Sequence, residues 1–285
     1  MGSAGSSSVR VATLNLWGLQ GAWEARRSVL VDGLRTLRPD LVAFQEAITG
    51  EGYDQVVEVL GPGYHVSHQG VGLLGDGNHG ASIASRWPLG EVGEVDLHVT
   101  PATADYPCGL LAAEVLTPDP TGSMLFVAYG PRYPWYAERE RELQALAAAR
   151  FVKDLLDGRP DIRHVVVAGD FNAVPDSASV RFWRGLQSLD GTSVCYRDAW
   201  EHARTGDPGH TVSPRNPMRS VAGAPPEPGR RIDYIMVRCV EHGPTLDICA
   251  CERIFDEAVN DVWASDHFGV VADYSARERD GRPAR

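Results

Sequence analysis

Cysteine is scarce in this chain and carries no pattern: there are five, an odd number, with no Cys-x-x-Cys spacing. That argues against a disulfide framework and against a thiolate metal site. Cys249 and Cys251 lie in a strand-like run, LDICACE, and read as small buried hydrophobes. Basic charge is also short, with 27 Lys and Arg against 38 Asp and Glu and a net charge of −11. A protein that grips long nucleic acid usually carries a basic face, because binding rests on neutralising phosphates. No apolar run reaches the roughly 20 residues of a membrane span. The opening MGSAGSSS lacks an apolar core and reads as a flexible tail rather than a signal peptide. The expectation is a cytoplasmic protein in a reducing compartment, or a secreted one if a leader has been removed.

What is present points to one large, β-rich core. The chain has 285 residues, 43% of them hydrophobic. A chain of this size buries roughly three quarters of its unfolded surface. Thirty Gly and nineteen Pro are scattered through it, which suits many turns between short elements. The expected organisation is a tail over 1–8, one domain over 9–275 and a charged tail over 276–285.

Hydrophobic alternation predicts strands over 9–15, 40–45, 64–69, 81–85, 92–100, 110–116, 124–129, 162–168, 232–237, 246–252 and 269–274. Helical spacing predicts helices over about 22–37, 54–60, 138–156 and 177–186. Residues 205–230 are rich in Pro, Gly and Arg and read as a long loop, which in a compact domain is usually functional or mobile. Helices separate some strands while others follow one another directly. That mix implies two packed sheets with helices outside, an α+β sandwich.

Polar side chains stand where apolar strands stop: Asn15, Glu46, Tyr129, Asp170, Asn172, Asp233, Asp266 and His267. Singly, Asn15 or Asp233 reads as an Asx turn. Together they offer carboxylates, amides, a phenol and an imidazole, the groups that hold a hard cation and activate water beside it.

Six segments occur in a telling order: Leu14-Asn15-Leu16-Trp17-Gly18, Phe44-Gln45-Glu46, Gly80 to Pro88 (GASIASRWP), Gly169-Asp170-Phe171-Asn172, Arg231-Ile232-Asp233-Tyr234 and Ser265-Asp266-His267. The chain resembles the endonuclease/exonuclease/phosphatase superfamily from about residue 9 to 274. The resemblance implies a four-layer α/β/β/α sandwich of two mostly antiparallel sheets, with the site at one edge. It implies that Glu46, with Asn15 nearby and Asp266 opposite, holds Mg²⁺ or Mn²⁺. Asp170 and Asn172 would lie against the scissile phosphate and the attacking water. His267 would contact the phosphate or act as base, oriented by Asp233.

The sequence departs from the family in two places. Many members carry Asn-Thr-His at the end of the central strand, where this chain reads Val127-Ala128-Tyr129-Gly130-Pro131. That version resembles abasic-site endonucleases and assigns Tyr129 to phosphate contact. The frequent Gly-Asn before the Ala-Ile-Leu-Ser-Arg stretch is Gly80-Ala81 here; His79 stands in for the Asn or, as the preferred reading, is a surface loop residue.

Substrate-facing candidates are Arg132 and Trp135 after the Tyr129 strand and Asn216 in the long loop. Arg and aromatics together suit a ring and its phosphate, although Trp135 equally suits packing at a helix entry. Arg231 reads as part of an internal ion pair. The expected function is metal-dependent hydrolysis of phosphate esters by activated water. A small-molecule or lipid-like phosphodiester or monoester is favoured over nucleic acid, and the protein is expected to be a monomer. The alternatives are a DNA nuclease of the abasic-site type and an inactive binding protein.

Overall fold

The computed structural model describes residues 8–74, 78–219 and 228–276. The first half runs β1 (Ser8–Asn15), α1 (Trp23–Leu37), β2 (Leu41–Gly50), β3 (Tyr53–Asp54), α2 (Gln55–Leu60), β4 (His65–His68), β5 (His79–Ser85), β6 (Leu89–Asp96), β7 (Gly109–Val115), β8 (Met124–Gly130) and α3 (Glu138–Leu156). The second half runs β9 (His164–Asp170), α4 (Ala178–Trp183), β10 (Tyr196–Asp198), α5 (Ala199–Ala203), β11 (Asp233–Val240), β12 (Gly243–Pro244), β13 (Leu246–Ile254) and β14 (Gly269–Ala276). The expected terminal tails lie outside the described residues, apart from Ser8 and Ala276, which belong to strands.

The strands form two seven-stranded sheets. One has the order β13-β14-β1-β2-β5-β4, with β3 on β2; the other has the order β10-β11-β9-β8-β7-β6, with β12 on β11. Each sheet is antiparallel except for one central parallel pair, β1 with β2 and β8 with β9. Those pairs are the ones joined by the long helices α1 and α3, as parallel neighbours require a crossover. Inner faces meet in a core that includes Val11, Ala43, Ile83, Leu111, Phe126, Ala128, Val166, Ile235 and Val270. Outer faces are covered by α1 and α2 on one side and by α3 and α4 on the other. The result is the expected α/β/β/α sandwich.

Local chemistry explains the helix ends. Leu30 and Leu34 bury one stripe of α1, which closes at a left-handed Arg38 before Pro39. Asp54 accepts the Val57 N–H at 3.0 Å and caps α2. Strand β6 ends at Asp96, four residues short of the expected 92–100 strand, and the chain from 97 to 108 turns inward as a loop. The short β10 and α5 were not predicted. Asp198 links them, its carboxylate accepting the Trp200 N–H at 3.0 Å and pairing with Arg231 at 2.5 Å. Arg231 is thus the internal ion pair the sequence suggested. Cys251 is buried and Cys249 exposed; positions two apart share a face in a regular strand, and a register shift between Ile248 and Ala250 separates them, so only Cys251 behaves as a hydrophobe.

Candidate active site

Strand geometry gathers the site at one end of the sandwich. Asn15 ends β1, Asp170 ends β9 and Asp233 begins β11. His267 and Asp266 stand immediately before β14. Glu46 arrives differently. Its strand β2 pairs Phe44 with Ser82 and Ala47 with Gly80, so Gln45 and Glu46 together oppose Ala81 in a bulge. Glu46 takes φ 53°, a left-handed conformation uncommon outside glycine. Bulges beside active sites re-aim a side chain, and this one turns the Glu46 carboxylate into the cavity.

Asn15 ties two carboxylates together. Its Nδ2 donates to Glu46 Oε1 at 3.0 Å and to Asp170 Oδ2 at 3.2 Å, while its Oδ1 accepts the Trp17 N–H at 2.9 Å. Asn172, also left-handed at φ 53°, donates its backbone N–H to Asp170 Oδ1 at 2.9 Å and its Nδ2 to the Pro131 carbonyl at 3.1 Å. Asp170 is thereby fixed on both oxygens. Gly169 is required beside it, because a Cβ there would lie 2.0 Å from the Tyr129 carbonyl oxygen.

Asp233 pairs with Asp170 across the β9–β11 ladder. His267 sits between them, with Nδ1 3.0 Å from Asp233 Oδ2 and Nε2 3.9 Å from Asp170 Oδ2. Burial alone would drive off the imidazole's proton. The surrounding Asp233, Asp170 and Asp266 outweigh burial and hold it well above its ordinary value. Burial first, and then the charge of Asp233, push Asp170 well above the carboxylate range, against the pull of His267. The ligand atoms of Asp170, Asp233 and His267 lie within 4.8 Å of one another, close enough to hold a metal ion.

The cavity before these groups is lined by Asn15, Glu46, His79, Tyr106, Asp170 and Asn172. Two of these residues revise the sequence reading. His79 is part-exposed but is not in a loop: it starts β5 and places Nε2 3.8 Å from Glu46 Oε2. Tyr106 was missed altogether. It lies in the loop between β6 and β7, and its hydroxyl is 3.3 Å from Glu46 Oε1. No periodicity marks such a residue.

Tyr129 does not face the cavity. It is 1% exposed, its ring packs on Phe171 and Trp183 at 5.0 and 5.6 Å, and it lies with the helix-side core. The neighbouring Ala128 faces the opposite way into the inter-sheet core, so strand alternation dictates the Tyr129 direction. The expected phosphate contact is corrected accordingly. Asn216 is corrected as well: it is buried, donates Nδ2 to the Ser265 carbonyl at 2.8 Å and accepts the Met218 N–H at 3.1 Å. It braces the loop that carries Asp266.

Three other predicted residues each meet a charged side chain. Arg132 pairs with Asp105 at 2.9 Å, and its guanidinium lies 5.7 Å from the centre of the Tyr106 ring. Trp135 is 60% exposed under the Arg230 guanidinium, which stands 4.3 Å from its ring centre. Asp266 reaches the same end of the sandwich but is paired with Arg219 at 2.7 Å. Arg26 went unremarked in the sequence. It is buried in α1, and its guanidinium donates to the carbonyls of Leu16, Gly18, Gln20 and Ala264. It thereby locks the loop after Asn15 to the loop before Ser265.

Hard oxygen donors around one cavity, backed by a buried Asp–His–Asp group, are the equipment of a metal-assisted hydrolase. The model of the Endonuclease/Exonuclease/phosphatase family matches residues 12–267, and the chain belongs to that family. It is a metal-dependent phosphoric ester hydrolase. No curated protein matches the sequence closely enough to count as a relative. Solved structures share the fold at low identity. TDP2 from C. elegans superposes with a TM-score of 0.73 at 16% identity, covering 95% of this chain and 76% of that one. D. rerio TDP2 complexed with single strand DNA product gives 0.72 at 20% identity, covering 95% and 100%. The human Nocturnin catalytic domain with bound sulfate anion gives 0.70 at 17% identity, covering 95% of each.

Proposed function

We propose that the protein hydrolyses a phosphodiester or phosphomonoester of small-molecule or short, end-like character, using Mg²⁺ or Mn²⁺. The observation that carries this reading is the Asp170–His267–Asp233 group beside a Glu46 carboxylate turned into the cavity. The donor set fits a hard divalent cation, because carboxylate and amide oxygens dominate and no thiol lines the cavity. Glu46 would hold the cation, with Asp266 a further carboxylate once released from Arg219. A bound cation would mask the ester's negative charge and stabilise charge developing at phosphorus.

The chain's own groups supply the rest. Asn15 keeps Glu46 and Asp170 apart yet fixed, acting through its amide. Asp233 accepts a hydrogen bond from Nδ1–H of His267, which leaves Nε2 to face the substrate side as donor. Asp170 is the group placed to orient the water and accept its proton. Asn172 stands next to it, able to donate an amide hydrogen bond without adding charge.

Scale and charge support a small or short ester. The cavity is small, about 40 Å³, room for a few water-sized groups. The arginines beside the site residues are balanced, Arg132 next to Tyr106 by Asp105 and Arg219 by Asp266. The free-thiol chemistry fits a reducing compartment such as the cytoplasm, and no helix among the described residues is long and apolar enough to cross a membrane.

One observation favours a second reading, the end of a single-stranded nucleic acid. Tyr133, Trp135 and Tyr136 are 50%, 60% and 89% exposed, and Arg230 covers Trp135. Exposed aromatics with arginine are how bases are stacked without sequence preference. The D. rerio TDP2 structure, which shares the fold, holds single strand DNA product. A panel with Mg²⁺ or Mn²⁺ separates the two: bis-p-nitrophenyl phosphate, p-nitrophenyl phosphate, sugar phosphates, phospholipids, single-stranded oligonucleotides and abasic-site duplex. Turnover of the small esters supports the first reading. Turnover of nucleic acid alone replaces it with the second.

A further inference from the structure

Two of the five cysteines face each other on the edge of the second sheet, and nothing in the hydrolytic site uses them. Strands β10 and β11 pair Tyr196 with Arg238 and Asp198 with Met236 in antiparallel register. One step outward, that register sets Cys195 opposite Cys239, and the Cys239 N–H donates to the Cys195 carbonyl at 2.7 Å. Cα atoms directly opposite in such a pair stand about 5.5 Å apart, inside the range that a disulfide spans. Cys195 is exposed and Cys239 partly so.

The surroundings hold the pair in place. Gly185, at φ 77°, passes so close that a Cβ there would stand 3.1 Å from Cys195 Sγ. Arg197 approaches Cys239 and favours its thiolate, whereas burial and then the Cys195 thiol push it up to about 11. An open cleft bounded by Arg150, Lys153 and Arg238 leads to both sulfurs. Cys239 lies six residues along β11 from Asp233, roughly 20 Å at strand rise, so the pair is remote from the hydrolytic groups.

We infer that Cys195 and Cys239 form a redox-active dithiol that closes to a disulfide by exchange with a low-molecular-weight disulfide. The exposed Cys195 thiolate attacks one sulfur of the small disulfide and expels one thiolate. Cys239 then gives its proton to solvent, attacks Cys195 Sγ in the mixed disulfide and expels the second. One disulfide forms in the protein, and the small disulfide is reduced to two thiols. Closure links residues 195 and 239, ties the edge strand β10 to β11, and rings the chain segment that carries Thr211, Arg219 and Arg231. This inference does not depend on which ester the hydrolytic site takes.

Oxidised glutathione, added to the full chain and followed by intact mass, tests it. Wild type should end two hydrogens lighter, with three of its five thiols still titratable after denaturation. Peptide mapping should place the bond between Cys195 and Cys239. Cys239→Ser should stop at a mixed disulfide on Cys195, and Cys195→Ser should form no bond at Cys239. The closed wild type should also melt several degrees higher, because a cross-link over a loop of this length restricts the unfolded chain. A wild type that keeps five thiols, that ends as a mixed disulfide, or that bridges through Cys249 overturns the proposal.

Discussion

Asp170 and Asp233 are direct cross-strand partners at the paired ends of β9 and β11, and His267 bridges their carboxylates. Two buried like charges at opposed positions are destabilising by themselves. The imidazolium is what makes the arrangement tolerable, so catalysis and folding share one proton.

Replacing His267 by Ala should lower hydrolysis on the order of 10²-fold or more and destabilise the fold by about 3 kcal/mol, the scale for stranding a buried charge. Adding Asp233→Asn should recover much of the stability and none of the activity. Urea midpoints and kcat for the two variants check this. A double variant no more stable than the single one would mean that Asp233 is not strained by its neighbour.

Glu46→Ala should abolish metal-dependent turnover while leaving the melting temperature unchanged or raised. The side chain is partly exposed and its negative charge bears on the buried Asp170, so it is a liability to the fold. In calorimetry, Mg²⁺ should raise the melting temperature of wild type and not of the variant. An active variant would remove Glu46 from the site.

Tyr106→Phe should cut turnover several-fold, since it deletes the hydroxyl 3.3 Å from Glu46. Tyr129→Phe should leave kcat within about twofold, since its hydroxyl points into the helix-side core. The reverse order of effects in a steady-state assay would restore the phosphate-contact role to Tyr129.

His164, at the start of β9, is held neutral: burial, then the charge of Arg163, lowers it from 6.5 to about 4. The unfolded chain therefore binds this proton first as pH falls. The stabilisation is complete above pH 6.5 and is lost progressively down to about pH 4. At about 1.4 kcal/mol per unit, the fall from 6.5 to about 4 sets an upper bound of roughly 3.5 kcal/mol on the loss. His164→Gln should flatten the slope of stability against pH over that window in chemical denaturation.

Much of this was legible in the chain. Alternating apolar runs located most of the strands, and motif order put Glu46, Asp170, Asp233 and His267 in one site. What escaped was direction. A strand's two faces are equivalent in sequence, so nothing in Val127-Ala128-Tyr129 says which neighbour meets the other sheet; Phe126 and Ala128 do, and Tyr129 therefore cannot. Tyr106 and His79 reach Glu46 through loop and bulge geometry, which leaves no periodic trace. Asn216 carries the polarity of a substrate contact but spends it on the Ser265 and Met218 backbone. The β10–α5 corner is too short for either periodicity to register, and an ion pair with Arg231 holds it.

The irregularity in β2 has an engineering consequence. Phe44 and Ala47 pack on the same helix-facing side although three positions apart, which an uninterrupted strand forbids. The extra residue restores the parity of everything after it and leaves Glu46 owing nothing to either core. Removing Gln45 and Glu46 together, and closing the gap with a single alanine, should yield a well-folded sandwich with no chemistry. Such a shortened strand would be a scaffold onto which a different reactive group could be grafted.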